Sequence, residues 1–209
     1  MPLPLFSKIA LGSITACGVA ATAGWWALTG NSVQHSFKKE FKHAIIGNDE
    51  GLWTKKLELL KTSGSDPKNK KLIDAKLKAN SNDPKAKEAL KKACEEIVDS
   101  EYSGLSGDNY SDFKNFCSIN NKDKVVNWLD EGSRKTQLKT LKNGTSKLTP
   151  AFQKLKDSVI NGDSPTTENE TGLTQLCESE GSGIFMGDSD LTHLLVSYFC
   201  RNSSVTFSG

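Results

Sequence analysis

The sequence predicts an all-α protein: an N-terminal transmembrane or signal-anchor helix followed by a duplicated bundle of short helices. Three observations carry this reading. Ile9 to Thr29 form an uncharged run of 21 residues, matching the roughly 20 needed to cross a bilayer as a helix. Downstream, apolar residues recur at helical spacing behind capping signals, and no long alternating Val/Ile/Thr runs suggest a sheet. Finally, sliding the sequence against itself by 83 residues pairs positions 56–117 with 139–200 without a gap, giving 15 identities in 62 pairs.

Composition excludes some functions before any motif is weighed. The 209 residues carry 27 basic and 25 acidic side chains, a net charge of +2. That balance makes no field strong enough to hold nucleic acid by its phosphates. Only Arg134 and Arg201 are arginines, the side chain suited to bidentate grip on phosphate or carboxylate. Nucleic-acid binding and phosphoryl transfer are not expected.

Residues 1–30 are the expected signal anchor or transmembrane segment. The run is rich in Ala, Gly and Thr, and Trp25 and Trp26 stand where an interfacial aromatic belt would hold one end. A second reading stays open, because Ile14-Thr15-Ala16-Cys17 followed by Gly18 resembles a lipobox in which Cys17 would be lipidated. A cleaved secretory peptide or a buried helix is the third. Lys38, Lys39 and Lys42 follow the run, and the positive-inside rule would keep that flank in the cytoplasm. The cysteine pattern below argues the other way, for a body outside the cell.

Residues 31–50 read as a juxtamembrane linker or helix, 51–130 as a first helical unit and 131–209 as a second. Asp66-Pro67, Asp83-Pro84 and Thr149-Pro150 each put a side-chain acceptor at an N-cap and a proline at the first helical position. After Asp83, the residues Leu90, Cys94 and Ile97 make one apolar stripe. Tyr110, Phe113, Phe116 and Cys117 follow Asp108, and Leu191, Leu194, Leu195, Tyr198 and Phe199 follow Asp188, so both units end in a short amphipathic helix running into cysteine. Gly/Ser-rich stretches at 103–107 and 180–183 read as loops. Val125, Val126, Trp128 and Leu129 form an apolar patch suited to packing one unit on the next.

An Ala/Gly/Thr-rich anchor, Leu52-Trp53-Thr54-Lys55-Lys56-Leu57, Ala93-Cys94, and the ending Phe113-Lys114-Asn115-Phe116-Cys117 together resemble the paralogous families of small hypothetical proteins of haemotropic mycoplasmas. The resemblance covers most of the chain and implies a membrane-anchored protein displayed toward the host, with a part in antigenic variation. It brings no catalytic residues with it.

Four cysteines lie outside the anchor, and each unit repeats the same 23-residue separation, 94 to 117 and 177 to 200. Of three pairings, Cys94 with Cys117 and Cys177 with Cys200 is preferred, since a duplicated unit would carry its own bond. Buried free thiols on apolar helix faces are the alternative. No C-x-x-C pair suggests zinc, and His35, His43 and His193 make no metal motif. The glycines at 181, 183 and 187 lack the strand and spacing of a phosphate loop. No catalytic, cofactor or metal site is expected. The leading expectation is therefore a membrane-anchored, surface-exposed interaction or antigen module, whose lysine-rich faces could meet acidic host cell-surface molecules. The alternative is an anchored or secreted hydrolase acting on host protein, which would need His193 joined to a cysteine or carboxylate in a pocket.

Overall fold

Helices dominate because the apolar residues fall at helical spacing and the polar residues between them cap the ends. The computed structural model describes residues 35–144, 147–160 and 164–202. The expected anchor, Cys17 and the Trp25–Trp26 pair lie outside the described residues, within which no helix is long and apolar enough to cross a membrane. In chain order come α1 (Phe37–Glu40), α2 (Glu50–Thr62), α3 (Lys70–Asn80), α4 (Ala86–Asp99) and α5 (Asp108–Asp112), which widens into a π turn at Phe113–Cys117. A 3-10 turn (Asn121–Lys124) leads to α6 (Arg134–Asn143), α7 (Pro150–Ile160), α8 (Thr167–Gly181) and α9 (Leu191–Phe199). Among the described residues extended segments meet only through isolated bridges, so the fold is all-α.

Side-chain caps set several of these starts. The Asp49 carboxylate accepts the Leu52 N–H at 2.9 Å and begins α2. Asp190 does the same for α9 through the His193 N–H at 3.0 Å, and Thr166 with Asn169 forms a capping box at α8. Of the three expected proline starts, only Thr149-Pro150 opens a helix directly. Asp66-Pro67 lies in the turn before α3, which Asn69 caps. The buried Asp112 also accepts the Lys68 and Asn69 N–H groups there, so a residue 43 positions away fixes this helix end. Asp83-Pro84 likewise makes the turn before Ala86, with Asp83 accepting the Lys85 N–H.

The buried residues form two cores. The first gathers Phe37, Phe41, Trp53, Leu60, Leu72, Leu90, Ile97, Phe113 and Phe116. The second gathers Leu138, Leu141, Phe152, Val159, Leu173, Val196 and Phe199. Each fully buried aliphatic or phenyl side chain contributes about 1.5–3 kcal/mol. This arrangement corrects two expectations. Of the linker or helix expected at 31–50, the described part holds the helix α1, and it is no free linker, because Phe37, Phe41, Ala44 and Ile46 are buried in the first core. The apolar patch near 125–129 does not bridge the halves: Val125, Trp128 and Leu129 pack on the second core, and Val126 stays 79% exposed.

Many details recur at a fixed interval. The bridge between Ile45 and Ser118 returns 83 residues on as Trp128 with Arg201, and the Ile119 N–H to Ala44 carbonyl bond returns as Asn202 to Asn127. Gly104 and Gly187 both adopt positive φ, +100° and +115°, where an L side chain would be strained. At the start of each half the interval is 84: Phe37 donates to the Ser100 carbonyl, and Asn121 to that of Gly183. Between these fixed points the gapless alignment slips. Burial pairs Leu57 and Leu60 with Leu138 and Leu141, an offset of 81, and Leu72 and Ala79 with Phe152 and Val159, an offset of 80. Lys56 and Lys139, identical in the gapless register, are buried and exposed respectively.

The segment 118–121 closes the first half and opens the second, so the changeover falls near residue 119 rather than at 130. Lys56 on α2, only 2% exposed, ties the halves there: its ammonium donates to the Asn120 side-chain carbonyl at 2.6 Å and pairs with Asp123 at 2.8 Å. Ile184 adds its side chain to the first core, and Gly187 packs on the His43 ring.

Candidate functional site

A small concavity opens beside the first disulfide. Ile45, Ile46 and Val98 supply apolar wall, and Trp53 is fixed on one side by donating its indole N–H to the Gly47 carbonyl at 2.8 Å. Cys94 and Cys117 form part of its lining. The cleft measures about 240 Å³, below the roughly 300–1,000 Å³ of sites that enclose drug-sized ligands. Charges of both signs surround it: Lys38 pairs with Asp99 at 3.7 Å, and Lys91 pairs with Glu50 and lies 5.9 Å from the Trp53 ring centre. Lys91 and Lys87 together hold the Glu50 carboxyl below the usual carboxylate range.

The same location in the second half is filled. Trp128, the counterpart of Ile45, lays its indole on Gly181, the counterpart of Val98. A Cβ at position 181 would stand 2.6 Å from the ring edge. Lys122 sits over the indole face, 4.5 Å from the ring centre, and the indole N–H donates to the Glu178 carboxylate at 2.9 Å. Lys122 also donates to both Glu178 oxygens, at 2.7 and 2.8 Å. Cation, carboxylate and glycine floor thus clamp one aromatic ring, which is only partly exposed.

The expected disulfides form within each half. Cys94 bonds Cys117 with Cα atoms 5.1 Å apart, and Cys177 bonds Cys200 at 5.4 Å, both inside the ordinary disulfide range. The alternative of buried free thiols is set aside for these four residues. Their sulfurs are then not available as thiolate nucleophiles or metal ligands. Among the described residues no three His, Cys, Asp or Glu side chains converge on a common metal position.

His193 lies inside the second half rather than in a mouth. It is 7% exposed, stands edge-on to Phe185 at 4.7 Å, and shares a 3.2 Å hydrogen bond between its Nε2 and the Ser197 hydroxyl. Its Nδ1 is buried without a hydrogen-bond partner, and burial pushes the imidazole pKa below its ordinary value. A general base of the triad kind needs a third group to orient it, and none touches this ring nitrogen. His43 meets Gly187, and His35 accepts the Tyr102 N–H through its backbone carbonyl.

Sequence reasoning named Trp128 as part of a packing patch and left Trp53, Glu95 and Lys38 unassigned to any site. The available signal was the pair of conserved intervals themselves: Lys38 to Lys122, and Glu95 to Glu178. It becomes legible only once the 84-residue step at the start of each half is known. No family profile, curated protein or solved structure matches the chain.

Proposed function

We propose that this chain is a membrane-anchored interaction module whose body, an internally duplicated pair of disulfide-closed helical bundles, stands outside the cytoplasm and faces the host as a binding or antigenic surface. The observation that carries the reading is the pair of disulfides. Such bonds persist in oxidising compartments and are rare where thiols are kept reduced, and here each half closes its own 23-residue loop. The uncharged run at 9–29 supplies the tether in this reading, and the small, charged-rimmed cleft supplies a place for contact. The hydrolase alternative is the weaker one, because the cysteines are bonded and His193 is packed against Phe185.

Non-reducing peptide mapping of the protein taken from native membranes tests this. The expected result is recovery of the two linked peptides, Cys94 with Cys117 and Cys177 with Cys200. Recovery of all four as free thiols overturns the outward placement.

A further inference from the structure

We propose that the cleft beside the Cys94–Cys117 disulfide is a receptor for a tryptophan side chain of a partner polypeptide, and that Trp128 shows within the same chain how that side chain is held. The inference deepens the reading of an interaction module and rests on it for its biological setting. Its physical argument is the comparison of two equivalent places in one protein, one filled and one open.

In the filled place the ring comes from Trp128, at a position whose backbone bridge to Arg201 repeats that of Ile45 to Ser118. Three features receive it: the cation of Lys122, the carboxylate of Glu178, and the bare backbone of Gly181. In the open place the chain keeps the first two as Lys38 and Glu95, both lining the cleft. What it lacks is the ring itself, because Ile45 is too short to cross the gap. Two of the three receiving features are present there without an internal occupant.

The chemistry selects an indole. Lys38 can place its ammonium over an aromatic face, an attraction strongest for indole. Its partner Asp99 is a loose, exposed ion pair at 3.7 Å, a type worth little to keep. Glu95 is exposed, and its carboxylate can accept an indole N–H, as Glu178 does. A phenyl ring offers no such donor. Val98 stands where the second half has glycine, so an incoming ring has to rest higher than Trp128 does, toward the open side of the cleft. A volume of about 240 Å³ suits one side chain better than a whole metabolite, and rim charges of both signs suit the flanking peptide backbone.

The test uses the full-length chain with its disulfides intact and the probe peptide acetyl-Gly-Trp-Gly-amide. Ligand-observed saturation-transfer NMR and titration give relative affinities against the same peptide carrying alanine, phenylalanine or 1-methyltryptophan. The tryptophan peptide is expected to bind, the alanine peptide not to, and 1-methyltryptophan to bind about tenfold more weakly because it cannot donate to Glu95. The double substitution Ile45→Trp with Val98→Gly rebuilds the filled arrangement and is expected to abolish binding. Where that variant fails to fold, Glu95→Ala decides: its surface position spares the fold, it leaves no side-chain acceptor, and it is expected to reduce the preference for the tryptophan over the 1-methyltryptophan peptide to less than threefold. Binding of the alanine peptide as tight as the tryptophan peptide overturns the proposal. So does an unchanged preference in Glu95→Ala, or free L-tryptophan binding more tightly than the peptide, which would mark a metabolite site. Each of these failures leaves the disulfide mapping untouched, so it is distinguishable from failure of the outward-facing reading.

Discussion

Lys56 is the residue on which the two halves meet, and its surroundings define what its loss does. A lysine 2% exposed is tolerated because the Asp123 carboxylate and the Asn120 side-chain carbonyl accept hydrogen bonds from its ammonium. Removing the lysine leaves the Asp123 carboxylate 17% exposed with the Asn120 N–H as a remaining donor, toward the low end of the about 3–5 kcal/mol that breaking a buried pair costs. Lys56→Met is therefore expected to lower stability by about 3 kcal/mol in urea denaturation, and Lys56→Met with Asp123→Asn to recover most of that. The pH dependence has a definite sign. Burial pushes the Lys56 pKa below its ordinary 10.5, and Asp123 opposes that fall. The unfolded chain then holds the proton to higher pH than the folded one, so stability contributed here rises as pH climbs from the folded value toward 10.5. Asp123→Asn removes the opposing charge, and the urea midpoint is expected to rise more steeply between pH 8 and 10 than in the parent chain. None of this was legible in the sequence. Lys56 sits in a lysine-rich helix whose other members face water, and its burial depends on a turn 64 residues away.

At the scale of elements, the disulfides join α4 to the π turn and α8 to the end of α9. Closing a loop of this length contributes about 3 kcal/mol on the chain-entropy account. Replacing Cys94 and Cys117 together by serine is expected to lower the melting temperature by roughly 6–12 °C in a calorimetric scan, since each kcal/mol is worth about 2–4 °C at this size. The equal spacing of the cysteines was readable because it survives every slip elsewhere in the repeat. The stripe of α4 was readable for a related reason: Leu90, Cys94 and Ile97 declare one face with no need of distant partners, whereas in α9 Leu195 and Phe199 are buried but Leu194 and Tyr198, expected on the same stripe, stand about half exposed. The start of α3 was not readable, because Asp112 supplies acceptors that no local pattern announces. Nor was the slip to offsets of 81 and 80 in α2/α6 and α3/α7, where the identities Pro67–Pro150 and Leu72–Leu155 favoured a register that burial does not follow.

For the whole molecule, the all-α class followed from periodicity and the absence of alternating runs, and the two cores bear the class out. The changeover near 119 was hidden because no glycine- or proline-rich linker marks it; one short segment serves both halves. The proposed membrane attachment would rest on residues outside the described ones, and fractionation tests it. Carbonate-washed membranes are expected to retain the full-length chain, and a chain with residues 9–29 deleted to leave with the supernatant. Release of the intact protein would remove the anchor from the reading.

The two bonded loops also change what a break in the chain does. Leu105, 69% exposed, lies inside the ring closed by Cys94 and Cys117, and Met186, 45% exposed, inside the one closed by Cys177 and Cys200. Exposed loop tips are preferred sites of proteolytic nicking. A cut within either ring opens the backbone yet leaves the two fragments covalently joined, because the path through the sulfurs survives. The nicked protein therefore keeps its mass until a reductant is added, and only then comes apart. In an outward-facing body each ring is a length of chain that a foreign protease can sever once without detaching anything.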